Sequence, residues 1–390
     1  MRRINLRAVG LAAAALGLVV AAGCQANPTD GGNGQQAADY CGKKVGFFGA
    51  LTGENAAIVV PSFNGAKLAF KQYNDANPDC QLQLVEFDSE GDPDKAAQFA
   101  QQVVADPDFL GVIGGAFSGE TNSTIPVYQG GTVPMISPSA TRVDLSGRPG
   151  ITVFHRVVGH DGTQSAAIAK FLQDEGATKV FLVDDGSAYG AGLTAELAKR
   201  LDEGDPQIPY VTDKIQEEQT IFDATVAKIQ AEQPDYIFYG GYPREAAPLF
   251  RQIRSAGITA QLLGADGLYD PQLASITEGA AEGAIITCPC LPAEEAAGTF
   301  AEDFEAEYGT APGSYGAEGY DAAKVFIDVI SAGASTREEV LAGIKAYDKQ
   351  GASKHIKFDA GGDVDPSVVV VWSYEVTSDG LEPLKPLGVQ

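Results

Sequence analysis

The sequence predicts an α/β protein built as two doubly wound lobes, each around a parallel sheet. Short apolar runs alternate with amphipathic helical stretches along most of the chain, which is the rhythm of βαβ units. The pattern shifts near residue 155 and resumes beyond residue 160. With an N-terminal export signal set aside, about 366 of the 390 residues remain, more than one hydrophobic core organises.

The signal comes first. Arg2, Arg3 and Arg7 give a positive start, Ala8 to Gly23 is uncharged and apolar, and Ala22-Gly23-Cys24 sets two small residues before a thiol. The apolar run is too short for a comfortable membrane-spanning helix. Cys24 is expected to be lipidated and to become the first mature residue, which puts the body outside the cytoplasm, at the outer face of the cell membrane or in the periplasm. Ala21 stands where such signals usually carry Leu. From Gln25 to Asp39 the chain is rich in Gly, Gln, Asn, Ala and Pro without periodicity, so 25–41 is assigned to a flexible linker.

The first lobe opens with a strand at Lys44 to Ala50, a helix at Ser62 to Asn77 and a strand at Gln81 to Asp88. A helix at Asp94 to Asp106 and strands at Phe109 to Gly115 and Val133 to Ile136 follow. The second lobe reads as helices at Gly162 to Glu175, Ala188 to Arg200, Phe222 to Glu232 and Glu245 to Ala256, with strands at Lys179 to Asp184, Asp235 to Gly240 and Leu262 to Gly264. Val153 to Val158, Ala284 to Thr287 and Val368 to Tyr374 lie where the pattern shifts and are candidates for three strands crossing between lobes. The resulting partition is 42–158 plus 291–366 for the first lobe and 159–290 plus 367–390 for the second.

Charge excludes some partners. Removing the three signal arginines leaves 24 Lys and Arg against 52 Asp and Glu, a net charge of −28 that repels nucleic acid and anionic headgroups. Membrane attachment is expected through the lipid alone, and the body is expected to be a monomer. Four cysteines besides Cys24 suggest disulfides in an exported chain. Cys41 and Cys80 each stand just before a predicted strand, and a bridge between them closes a loop of about 40 residues, stabilising by roughly 4 kcal/mol. Cys288 and Cys290 can pair only if the chain turns, which Pro289 favours. His155, His160 and His355 give no ligand spacing, so no metal is expected, and no cofactor.

Catalytic and nucleotide motifs are missing: there is no G-x-G-x-x-G, no P-loop and no G-x-S-x-G elbow. Gly115-Ala116-Phe117-Ser118-Gly119 has its serine one place too late, and no base for Ser118 is evident. What the chain does offer is polar residues at the C-terminal ends of strands, where open α/β sheets bind ligands. Ser118 follows a strand and opens a helical stretch, a placement suited to a carboxylate at the positive helix end or to plain capping. Ser137-Pro138-Ser139-Ala140-Thr141 follows the next strand. Tyr189, Tyr242 and Asp266 follow strands of the second lobe. Their shared placement marks a cleft between the lobes.

At these residues the chain resembles the type I periplasmic binding proteins of the leucine/isoleucine/valine-binding kind, the substrate-binding components of branched-chain amino-acid ABC transporters. The likeness runs from about Lys44 to Gly380. It is carried by Gly49-Ala50-Leu51-Thr52-Gly53, Phe63-Asn64-Gly65-Ala66, Val112-Ile113-Gly114, Met135-Ile136-Ser137-Pro138-Ser139-Ala140-Thr141, Tyr189-Gly190, Tyr239-Gly240-Gly241-Tyr242 and Ile356-Lys357-Phe358-Asp359. The resemblance implies two lobes joined by three crossing strands. It implies a ligand carboxylate on Ser118 and Thr141, and an ammonium on the Ser139 carbonyl and Asp266. Tyr189 faces them from the second lobe, and Ala116, Phe117, Ile58 and Tyr242 surround the side chain. Asp266 stands where leucine-binding relatives have Glu, and Ile58 replaces an aromatic residue.

The expected function is capture of an amino acid, branched-chain or otherwise aliphatic, by cleft closure and its delivery to an ABC transporter permease. The alternatives keep the fold with an amide, urea or aromatic acid as ligand, or make the protein a sensor. A different class is an extracellular hydrolase using Ser118. Asp266 with Ser118 and Thr141 favours a zwitterion, because an uncharged amide leaves a carboxylate facing it unpaired.

Overall fold

The computed structural model describes residues 39–388. The signal, Cys24 and the linker up to residue 38 lie outside the described residues. Five strands, β1 (Lys44–Gly49), β2 (Gln83–Asp88), β3 (Phe109–Ile113), β4 (Met135–Ser137) and β5 (Phe154–Arg156), form one sheet in the order β2-β1-β3-β4-β5 with every pairing parallel. Alternate residues of β1 serve opposite faces, as the pleat requires. Val45 and Phe47 pack on one side, against Phe63, Ala66 and Phe70 of helix α1 (Val60–Ala76). Phe48 packs on the other, with Ala96, Ala100 and Val103 of α2 (Pro93–Ala105) and Ile125 and Tyr128 of α3 (Ser118–Gly130). Covering both faces is what makes these strands read as nearly unbroken apolar runs.

The second sheet is built the same way. Helix α4 (Asp161–Asp174) leads into β6 (Val180–Asp184), α5 (Ala188–Glu203), β7 (Tyr210–Lys214), α6 (Asp223–Glu232), β8 (Tyr236–Gly240), α7 (Pro243–Ser255), β9 (Gln261–Gly264), α8 (Leu273–Ile276) and β10 (Ile285–Cys288). Phe181, Val183, Ile237 and Tyr239 face Ile229, Leu249 and Phe250, while Val180, Leu182 and Phe238 face Ile168, Leu172, Leu193 and Leu197. The chain then returns to the first sheet with α9 (Phe300–Tyr308), α10 (Gly316–Ser331), α11 (Arg337–Lys345) and a small hairpin of β11 (Asp348–Gln350) and β12 (His355–Lys357). Helix α10 lies so close on α1 that a Cβ at Gly65 would run into the Gly316 carbonyl.

The chain ends in β13 (Val371–Thr377) and β14 (Gly380–Leu387), which join the second sheet in the order β14-β13-β10-β9-β8-β6-β7. The second sheet is mainly parallel, as expected: its five strands β10, β9, β8, β6 and β7 run parallel, and the chain's last two strands add antiparallel pairings of β10 to β13 and β13 to β14. The candidate crossing strands shift. β5, β10 and β13 are all sheet members, because strand backbone needs ladder partners, and the crossings occupy the short unpaired stretches beside them. Those stretches meet at Gly159, Pro289 and Val369, leaving no room for a Cβ at Gly159.

Cys41 is bonded to Cys80 and Cys288 to Cys290. Tyr40 packs against the first core, so the segment read as linker gives way to the folded body before residue 41. Among the described residues no helix is long and apolar enough to cross a membrane.

Candidate functional site

Both parallel arrays reverse direction at a switch point, between β1 and β3 in one sheet and between β6 and β8 in the other. Loops leaving the strand ends there diverge and open a crevice. The two crevices face each other, and residues from both line one narrow space: Ile58, Ala116, Phe117, Ser118 and Ser139 with Tyr189, Tyr242 and Asp266. Its volume is about 20 Å³, room for roughly one water. The lobes therefore touch directly, with the rings of Phe117 and Tyr242 edge to face at 4.9 Å. At the mouth Arg244 of α7 reaches Glu54, in the loop after β1, at 2.9 Å; both are well exposed, so this pair contributes little.

On the first lobe, Glu120 fixes the start of α3. One carboxylate oxygen accepts from the Phe117 amide at 2.9 Å and the other from the Ser89 hydroxyl. Burial lifts Glu120 to about 7. Ser118 is buried as the first residue of α3, and its hydroxyl accepts from the Arg142 amide at 3.2 Å. The loop after β4 is held by Arg156, fully buried, which donates to the Ala140 and Arg142 carbonyls and pairs with Asp363 at 2.6 Å. Ser139 donates to the Ala116 carbonyl at 2.9 Å, tying the two strand-end loops together.

On the second lobe, Asp266 follows β9 and accepts from Tyr189 at 2.8 Å on one oxygen. Its other oxygen accepts from Tyr315 at 2.7 Å, and Tyr315 belongs to the first lobe, just before α10. Burial raises the Asp266 pKa, and the two phenols partly offset this. Burial, then the Asp266 charge, pushes Tyr189 and Tyr315 well above the usual phenol range, so both stay donors.

The expected residues are thus brought together with two exceptions. Ala140 packs its side chain into the core behind β4, and Thr141 is buried off the lining, its hydroxyl without a partner. Tyr315 and Asp161 were not singled out from sequence. Tyr315 sits in a Gly-Ser-Tyr-Gly stretch far from any strand end, and Asp161 looks like an ordinary first-turn acid of α4. Asp161 is fully buried, neither of its oxygens has a hydrogen-bond partner, and burial followed by the Asp266 charge raises its pKa well above the carboxylate range. The Thr141 hydroxyl stands beside it and opposes that rise.

Comparison with known proteins agrees with this architecture. A model of the periplasmic binding protein family matches residues 43–371. The leucine-specific-binding protein of Salmonella typhimurium is 33% identical over 249 residues, covering 63% of this chain and 67% of that protein. The leucine binding protein LivK of Thermotoga maritima superposes with a TM-score of 0.81 at 26% identity, over 89% of this chain and 99% of that one. LivJ of Streptococcus pneumoniae, solved with isoleucine, superposes with a TM-score of 0.78 at 24% identity, over 88% and 100%, a likeness of fold. The chain belongs to the periplasmic binding protein family, whose members bind solutes and are not enzymes.

Proposed function

We propose that this protein captures an L-α-amino acid with a branched-chain or other aliphatic side chain between its lobes and hands it to an ABC transporter permease. The observation that carries the reading is the Asp266 carboxylate, buried at the slot and gripped by a phenol from each lobe. A buried carboxylate needs a cationic partner, and the Ser139 carbonyl supplies a further acceptor of the kind an ammonium requires. The Ser118 hydroxyl and the free amides opening α3 suit the ligand carboxylate. Ile58, Ala116, Phe117 and Tyr242 line the slot and give it the apolar walls that a side chain meets once the lobes part to admit it. The likeness to leucine-binding relatives supports the same ligand class.

In this reading 42–158 plus 291–366 closes as a body on 159–290 plus 367–390, and the protein works outside the cytoplasm on a lipid at Cys24. The test is a thermal-shift panel of L-amino acids on the domain. A ligand at a hundred times its dissociation constant adds about 2.7 kcal/mol to stability. Leucine, isoleucine or valine should raise the melting temperature and benzoate or urea should not; a shift with the acid or the amide alone would overturn the reading.

A further inference from the structure

Asp161 is the buried acid that the binding site as described does not use. It opens α4 with its amide donating to the Thr141 carbonyl at 2.7 Å, and both carboxylate oxygens lack partners. The Thr141 hydroxyl is also unpartnered. So is Gln164 Oε1, one helical turn onward on the same face. The orientation of that amide is fixed, since Gln164 Nε2 donates to the Thr287 carbonyl at 3.0 Å and a carbonyl only accepts. The buried cluster therefore holds three oxygens that only accept, and the Thr141 hydroxyl beside Asp161 is the one donor turned toward them. Each such atom, left dry and unpaired, is unfavourable.

Charge is unbalanced in the same place. Asp266 is near enough for its charge to act on Asp161. Arg156 on β5 is a cation facing them, but it is committed to Asp363 and to the carbonyls of Ala140 and Arg142, and Arg200 on α5 comes beside the start of α4, where it donates to the Gly162 carbonyl at 3.3 Å. Glu196 on α5 adds negative charge. His160 uses Nδ1 to accept from the Gly162 amide, and burial lowers its pKa, so it brings no charge. Tyr189, Tyr242 and Tyr315 face the pair as neutral phenols. Two carboxylates enclosed together titrate as a unit and keep one proton between them. That proton supplies one donor and cancels one charge. A ligand ammonium brings a full positive charge and three N–H donors, and so makes the proton redundant.

We propose that Asp161 and Asp266 hold one shared proton in the ligand-free protein and that the ligand ammonium replaces it, so that capture releases a proton and acidification weakens capture. This rests on the amino-acid reading above. The proton leaves to solvent, and no bond between heavy atoms changes. The ligand-free form binds one proton more than the complex below the upper pKa of the pair, where affinity falls by up to about tenfold per pH unit. Above that pKa the dependence vanishes.

The test is titration calorimetry with L-leucine at steps from about pH 5 to about pH 8, each step run in two buffers that both hold that pH and differ in ionisation enthalpy, acetate against piperazine at the acid end and phosphate against Tris at the alkaline end. The inference expects close to one proton released per ligand at the acid end, falling to none at the alkaline end. Asp161→Asn should abolish the release and flatten the pH dependence of affinity. Equal enthalpies in the two buffers at every pH, with L-leucine bound, would overturn the inference and leave the amino-acid reading intact. If no α-amino acid binds, the reading itself falls and the inference with it. The two-buffer comparison on the wild-type protein decides the matter even if the variant does not fold.

Discussion

Tyr315 and Asp266 join the two lobes at the ligand slot, the phenol donating to the carboxylate at 2.7 Å. Tyr315 does so from a left-handed backbone conformation with φ 56°, which a bulky residue adopts only when its surroundings impose it. Those surroundings are visible: Ser314 donates to the Ile58 carbonyl at 2.9 Å, and the Tyr315 ring packs with Val158, Cys288 and Cys290 at the crossings. The contact that closes the cleft is therefore built on the hinge. Tyr315→Phe keeps the ring and removes the donor. Small-angle scattering should show the ligand-free variant more expanded than wild type, with L-leucine restoring the same compact form. The melt should lose about 1–3 kcal/mol, the cost of leaving a buried acceptor short of a partner. An unchanged ligand-free radius would contradict this role.

Stability should fall as pH rises through neutrality. Burial lifts Glu120 to about 7, and Asp185 and Asp321 to about 6 each. The folded chain then holds protons that the unfolded chain gives up, so this contribution is fully present below about pH 4 and is lost as pH passes the folded values. Glu120→Gln cannot ionise, and it should remove up to about 3 kcal/mol of the decline between about pH 4 and about pH 8. Parallel pH profiles for variant and wild type, from chemical denaturation, would sink the argument.

Breaking the Cys41 to Cys80 bridge should cost about 2–5 kcal/mol, since it ties the chain ahead of β1 to the chain ahead of β2 across a separation of 39 residues. Cys41→Ser with Cys80→Ser should lower the denaturant midpoint without changing L-leucine affinity by more than about threefold, because the bridge lies at the strand ends opposite the cleft. A midpoint equal to that of wild type would contradict it.

Cys24→Ser should release the protein from membranes or block its processing, and the domain begun at residue 38 should bind ligand as the full chain does. Fractionation decides it. A membrane-bound, fully processed Cys24→Ser protein would exclude the lipid anchor.

The parallel strands and their helices were legible because burial on both faces leaves continuous apolar runs such as Val180 to Val183, bounded by helical periods. β14 was not, because its middle residues are exposed and carry Glu, Pro and Lys, a pattern that reads as a tail. Asp266, Ser118 and Tyr189 could be found from their strand ends. Tyr315 could not, since it reaches the site only through the close packing of α10 on α1, a contact between residues some 250 positions apart that no local pattern records. Asp161 was hidden differently: an acid in a first helical turn is ordinary, and only its depth, with no partner for either oxygen, sets it apart.

The central claim, that Asp266 anchors the ammonium of an amino acid, is tested most directly by titration calorimetry of L-leucine against wild type and Asp266→Ala. Closure takes the ammonium out of water, and truncating its carboxylate partner should weaken binding by about 2–5 kcal/mol, the usual cost of removing one side of a buried charge pair. Affinity within about threefold of wild type would contradict it and remove Asp266 from the site.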